Sequence, residues 1–140
     1  MRRSESTLRY WAIRVLWLGV LLVVPVRAMS IPVGRFGYGW IVTYMTLVSV
    51  LTVLAFRADK EKAKRGAWRI PEKHLHLLES VGGWPSAYIA QRAFRHKIVK
   101  EDYQFAYWFI VIVHQYVAFD VMQDWRWTKF IDGLIQTLSR

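Results

Sequence analysis

Seven side chains in the middle of the chain have the types needed for chemistry on an anion: Asp59, Lys60, Arg69, Glu72, Arg95, His96 and Lys97. Arginine and lysine grip phosphate or carboxylate groups through charge-assisted hydrogen bonds. Asp59 or His96 could take a proton as a general base. The same residues have a structural reading, an ion-paired network in which the cations hold Asp59 and Glu72 as carboxylates. The sequence has no Ser-x-x-Lys pair, no glycine-rich phosphate loop and no paired catalytic carboxylates. These seven are therefore a candidate functional face, and no catalytic residue is assigned.

The histidines offer little for a metal. His74 and His76 are spaced i, i+2, about 200° apart on a helix, and make poor shared ligands. His96 lies in a basic run that disfavours another cation. His114 is the one histidine inside an apolar run, so a bis-histidine haem would need a second copy of the chain. With no cysteine there are no disulfides and no cysteine-based metal or redox sites. No metal or cofactor is expected.

The elements that must position the charged face are membrane helices. Residues 36–56 and 103–119 are apolar runs without a charged residue, and 15–26, extended by 10–13, is a third. Runs of about 20 apolar residues read as membrane spans. The expected fold is all-α and polytopic: one membrane domain, 1–140, with spans at about 10–28, 36–56 and 103–120. The N-terminus also has the basic start, apolar middle and Val26-x-Ala28 pattern of a signal peptide. Arg14, Pro25 and Arg27 disturb that pattern and favour an uncleaved first span.

Charge sets the threading. Arg27 and Arg35 are the only cations between the first two spans, whereas eleven lie between Arg57 and Lys100. The positive-inside rule then places the N-terminus and residues 57–100 in the cytoplasm. That requires 71–95 to stay on one side. Pro71 and Glu72 suit a helix start. Gly82-Gly83 suits a stop and a tight turn with positive φ, and Trp84-Pro85 restarts a helix. Two helices of about 11 residues, roughly 16 Å each, are too short to span. They predict a cytoplasmic interfacial hairpin turning at Gly82, Gly83, Trp84 and Pro85.

Residues 121–138 carry apolar positions at Val121, Met122, Trp125, Ile131, Leu134, Ile135 and Leu138, a helical stripe opposite Asp124, Lys129, Asp132 and Gln136. An amphipathic helix is predicted there, either at the outer membrane surface with Trp125 and Trp127 at headgroup level or packed on the spans. Inside the membrane, His114 is expected to hydrogen-bond at the depth of Thr46, within the polar stripe Thr43, Thr46, Ser49 and Thr52.

The motifs "DKEKAKRGAWRIPEKHL", "GGWPSA" and "FRHKIVK" resemble the D-K-x-x-A … R-I-P-E-x-x-L, G-G-W-P-G-A and F-R-H-K-x-x-K patterns of small bacterial membrane proteins of domain-of-unknown-function family 1294. The resemblance spans roughly residues 56–115, with Ser86 where the family often has glycine. It implies a helical protein of a bacterial inner membrane and carries no chemistry. Some family members are fused to a cold-shock nucleic-acid-binding domain, which this chain lacks.

The net charge of +10 points first to anionic lipid. In "DKEKAKRGAWR" acids alternate with the cations beside a span, which disfavours nucleic acid. The expected function is therefore a non-enzymatic membrane component whose basic face contacts anionic lipid, a partner protein or another copy of the chain. The alternatives are a membrane-embedded enzyme acting on a phosphorylated or lipid substrate, and a membrane-tethered nucleic-acid binder.

Overall fold

The computed structural model describes the backbone of residues 2–95 and 98–139, and the side chains of 8–31, 37–95 and 98–139. Every regular element in it is helical: α1 (Arg2–Phe36), α2 (Tyr38–Lys64), α3 (Glu72–Leu78), a π-type turn (Glu79–Gly83), α4 (Trp84–Ala93), α5 (Glu101–Met122) and α6 (Arg126–Leu138). Leu8–Ile31 within α1, together with α2 and α5, are three stretches long and apolar enough to cross a membrane. Their outward residues are apolar: Trp17, Leu47, Leu54, Phe105 and Ile112 are all exposed. Apolar helix surface on this scale suits lipid, and a helix satisfies its own backbone there. α1 continues through Pro25 and Pro32. Proline removes one backbone donor, a loss tolerated in membrane helices.

The chain divides into two compact units, residues 36–113 and residues 1–35 with 114–140. The first of these is built on α2, which buries Val48, Thr52, Phe56 and Asp59. That spacing is one helical stripe, and α3, the π-type turn and α4 pack on α2. Leu75, Trp84, Ala87, Tyr88 and Ala90 complete the core with Tyr103, Tyr107 and Val111 from the first half of α5. In lipid, helix association rests on close packing and interhelical hydrogen bonds, and both are present. Tyr44 donates to the carbonyl of Val81 at 2.7 Å.

The helix kinks at the glycine pair, where the two residues do different work. Gly82 has φ 103, the left-handed conformation that glycine adopts without steric cost. Gly83 is right-handed, with φ −78. Its requirement is space, since a Cβ there would collide with Thr52 Oγ1 and the Leu78 carbonyl oxygen. Pro71 precedes α3, Glu72 lies in its first turn and Pro85 in the first turn of α4.

In the other unit, α1 buries Leu18 and Ala28, and α5 buries Ala118. Gln115 donates to the Leu21 carbonyl at 2.8 Å. His114 is half-buried. Asp120 is fully buried and caps α6: its carboxylate accepts the amides of Trp127 and Thr128 and the Thr128 hydroxyl. Asp124 and Trp125 turn the chain between α5 and α6 with φ 54 and 57. The apolar residues of α6, among them Phe130, Ile131, Ile135 and Leu138, are exposed.

Candidate functional site

The end of α2 and the connection after it are held by one carboxylate. Asp59 Oδ1 accepts the Ile70 amide at 3.0 Å, and Arg69 Nη2 lies 3.5 Å from Oδ2. The Asp59 side chain is fully buried while Arg69 is half-exposed. This staple closes an 11-residue loop and sets where α3 begins. At the start of α3, Lys100 Nζ donates to both Glu72 oxygens, at 2.8 and 2.7 Å.

From that ion pair a polar seam runs inward. Glu72, His76 and Glu79 recur at i, i+4 and i+7, one face of a helix. Lys100, Tyr103 and Tyr107 on the approach to and start of α5 recur at i, i+3 and i+7. His76 Nδ1 is 2.7 Å from Glu79 Oε2, and the Tyr103 hydroxyl donates to Glu79 Oε1 at 2.7 Å. The imidazole stacks on the Tyr103 ring, centroids 4.3 Å apart, and Phe56 meets the same ring edge-on. Gln104 donates to Gln91 Oε1 at 2.7 Å, and Tyr107 donates to the Trp84 carbonyl at 3.1 Å.

Exposure falls steadily along this seam. Lys100 and Glu72 side chains are 50% and 33% exposed, His76 21% and Glu79 0%. Burial pushes the Glu79 carboxyl above the ordinary glutamate range, while hydrogen bonds from Tyr103 and His76 pull it back. The Gln91 amide near the same carboxylate acts in the second sense, although its buried Nε2 meets no acceptor at hydrogen-bonding geometry among the described residues.

The seven residues of the expected face are thus distributed. Asp59 and Arg69 come together in the staple, and Glu72 pairs with Lys100. Lys60 is half-exposed at the end of α2, and Arg95 is exposed with φ 46 after α4. His96 and Lys97 lie outside the described residues. Thr46 is exposed on α2. Among the described residues no three His, Asp or Glu side chains gather to hold a metal ion.

Sequence reasoning missed Glu79, Tyr103, Gln91 and the part His76 plays. The usable signal was the matched period of Glu72, His76 and Glu79 with Lys100, Tyr103 and Tyr107. The i, i+2 spacing of His74 and His76 bears on metal binding and is silent on a partner from another helix.

A curated relative, "Uncharacterized protein YsdA" of Bacillus subtilis (strain 168), is 26% identical over 73 residues, covering 52% of this chain and 82% of that protein. No solved structure matches the chain. Residues 49–103, which hold the staple, the glycine break and the seam as far as Tyr103, match the family described as protein of unknown function (DUF1294), in agreement with the resemblance carried by the motifs between Asp59 and Lys100.

Proposed function

We propose that this is a multi-pass inner-membrane protein, non-enzymatic, whose cytoplasmic cations bind anionic lipid headgroups. The observation that carries this reading is how the charges are used. Asp59 and Glu72, the carboxylates best placed for chemistry on the expected face, each sit against a cation. Lys62, Lys64, Arg65 and Lys73 stand exposed around them. Trp68 is 89% exposed in the same connection, and tryptophan favours the headgroup level. Each cation near an anionic leaflet contributes on the order of 1 kcal/mol, fading within a Debye length of roughly 8 Å at physiological salt. Several together hold the connection on the bilayer. The amphipathic α6 is a second contact, lying in the opposite leaflet's interface. At 13 residues, or roughly 20 Å, it is too short to span.

The test is reconstitution into nanodiscs of mixed phosphatidylglycerol and phosphatidylcholine. The lipid shell retained after mild delipidation should be enriched in phosphatidylglycerol. That enrichment should fall when Lys62, Lys64, Arg65 and Lys73 are changed together to glutamine. Equal retention of both lipids by the parent protein would defeat the reading. Because the chain has no cysteine, single cysteines at Gly66 and Val99 report sidedness directly. Both should resist an impermeant external thiol reagent on intact cells.

A further inference from the structure

We propose that the His76–Glu79 pair, closed by Tyr103, is a proton-binding site that takes a second proton from water through His76 and thereby becomes electrically neutral. This goes beyond the lipid-binding reading and does not depend on it. The argument is a count of protons. A contact of 2.7 Å between His76 Nδ1 and Glu79 Oε2 is a hydrogen bond only if one proton lies between them, on either atom. The Tyr103 hydroxyl spends its own proton on Glu79 Oε1. When Nδ1 holds that proton and Nε2 is bare, the carboxylate is ionised and the pair carries one negative charge. A second proton gives either imidazolium with carboxylate or neutral imidazole with carboxylic acid, and both forms are neutral. An uncompensated charge in a buried site is costly, so the surroundings favour the second proton.

Among the described residues, few groups can compensate that charge. On α3 the facing groups are Glu72 and His76, and Glu72 is already neutralised by Lys100. From α5 come the hydroxyls of Tyr103 and Tyr107. From α4 come the neutral Gln91 and Arg92, whose guanidinium lies 3.3 Å over the Tyr88 ring. From α2 comes Phe56, against Tyr103. Among the described residues, no cation but His76 reaches the Glu79 carboxylate. Access is one-sided as well: His76 is part-exposed while Glu79 is sealed, so water delivers a proton at the imidazole. The proton adds to a ring nitrogen lone pair or, by transfer across the short bond, to the carboxylate; no other bond changes.

The upward push of burial on Glu79 fixes the sign of the linkage. The folded chain holds a proton that the unfolded chain has released. This site's contribution to stability is therefore greatest at low pH and is lost as pH rises through the folded-state titration.

The experiment is thermal melting of the full chain in detergent across acid to alkaline pH, for the parent and three variants. Relative to Glu79→Gln, the parent should lose melting temperature as pH rises, with the difference in folding constant changing up to about tenfold per pH unit for one proton. Glu79→Gln should remove that pH-dependent component. Tyr103→Phe takes a donor from the carboxylate and should move the midpoint to higher pH. His76→Gln keeps a donor but not the protonatable ring and should move it to lower pH. A purely structural seam would shift melting equally at every pH. The proposal is overturned if Glu79→Gln keeps the parent's profile. If that variant does not fold, it is overturned if Tyr103→Phe and His76→Gln leave the midpoint where it was.

Discussion

Two buried carboxylates, Glu79 in the unit of residues 36–113 and Asp120 in the other, are equally hidden and differently served. Asp120 meets amide N–H groups and one hydroxyl at the start of α6. Glu79 meets a hydroxyl and an imidazole whose own proton count can change. A carboxylate answered by backbone at a helix start fixes geometry, since its partners cannot gain or lose protons. One answered by histidine inside a closed seam fixes geometry and also stores a proton. Burial alone therefore says little about role, and the identity of the donors decides it.

The contrast can be broken from either side. The largest effect is expected from Gly83→Val, which forces a side chain against the Leu78 carbonyl. It should cost roughly 3 kcal/mol and disorganise the seam, read as a large fall in melting temperature; unchanged melting means that the break is misread. Asp120→Ala removes the cap of α6 and should cost about 1–2 kcal/mol, with Asp120→Asn milder because one acceptor survives. Proteolysis between α5 and α6 should accelerate for the alanine variant, and the loss should not depend on pH in the way expected for the seam. His114→Gln keeps a polar group at the same depth of α5. Membrane hydrogen bonds average about 0.6 kcal/mol, so melting should move little if the histidine is structural; loss of function with intact melting would assign it a ligand or proton role. The smallest effect is expected from Ser86→Gly. It deletes only the hydroxyl bond to the Gly83 carbonyl and adds a glycine in a first helical turn, so no more than about 0.5 kcal/mol should be lost.

The three long helices were legible because uncharged apolar runs have few other homes. The break at Gly82-Gly83 was legible because two adjacent glycines followed by Trp84-Pro85 stop one helix and start another. The reason for Gly83 was not, since its close approach to Thr52 involves a residue 31 positions earlier. The seam was hidden for a similar reason. Glu72, His76 and Glu79 look like the wet face of a soluble helix until α5 is placed beside them. Asp59 was singled out from the sequence and is indeed bound to Arg69, yet its bond to the Ile70 amide depends on a loop path that composition does not encode. Asp120 was not legible as a cap because it lies seven and eight positions before the amides it accepts, across the turn at Asp124 and Trp125.

The crowding at Gly83 has a consequence for how the sequence can drift over generations. A new Cβ there would strike two things, the Thr52 hydroxyl and the Leu78 carbonyl oxygen. The first can be trimmed away by mutation, but the second belongs to the backbone and has no smaller version. Positions 52 and 83 are therefore not exchangeable partners. Thr52→Ala opens room for one neighbour and leaves the other in place, so it should fail to rescue Gly83→Ala. Descendants of this chain are free to explore alternatives at position 52, while position 83 is closed to them as long as the helix breaks where it does.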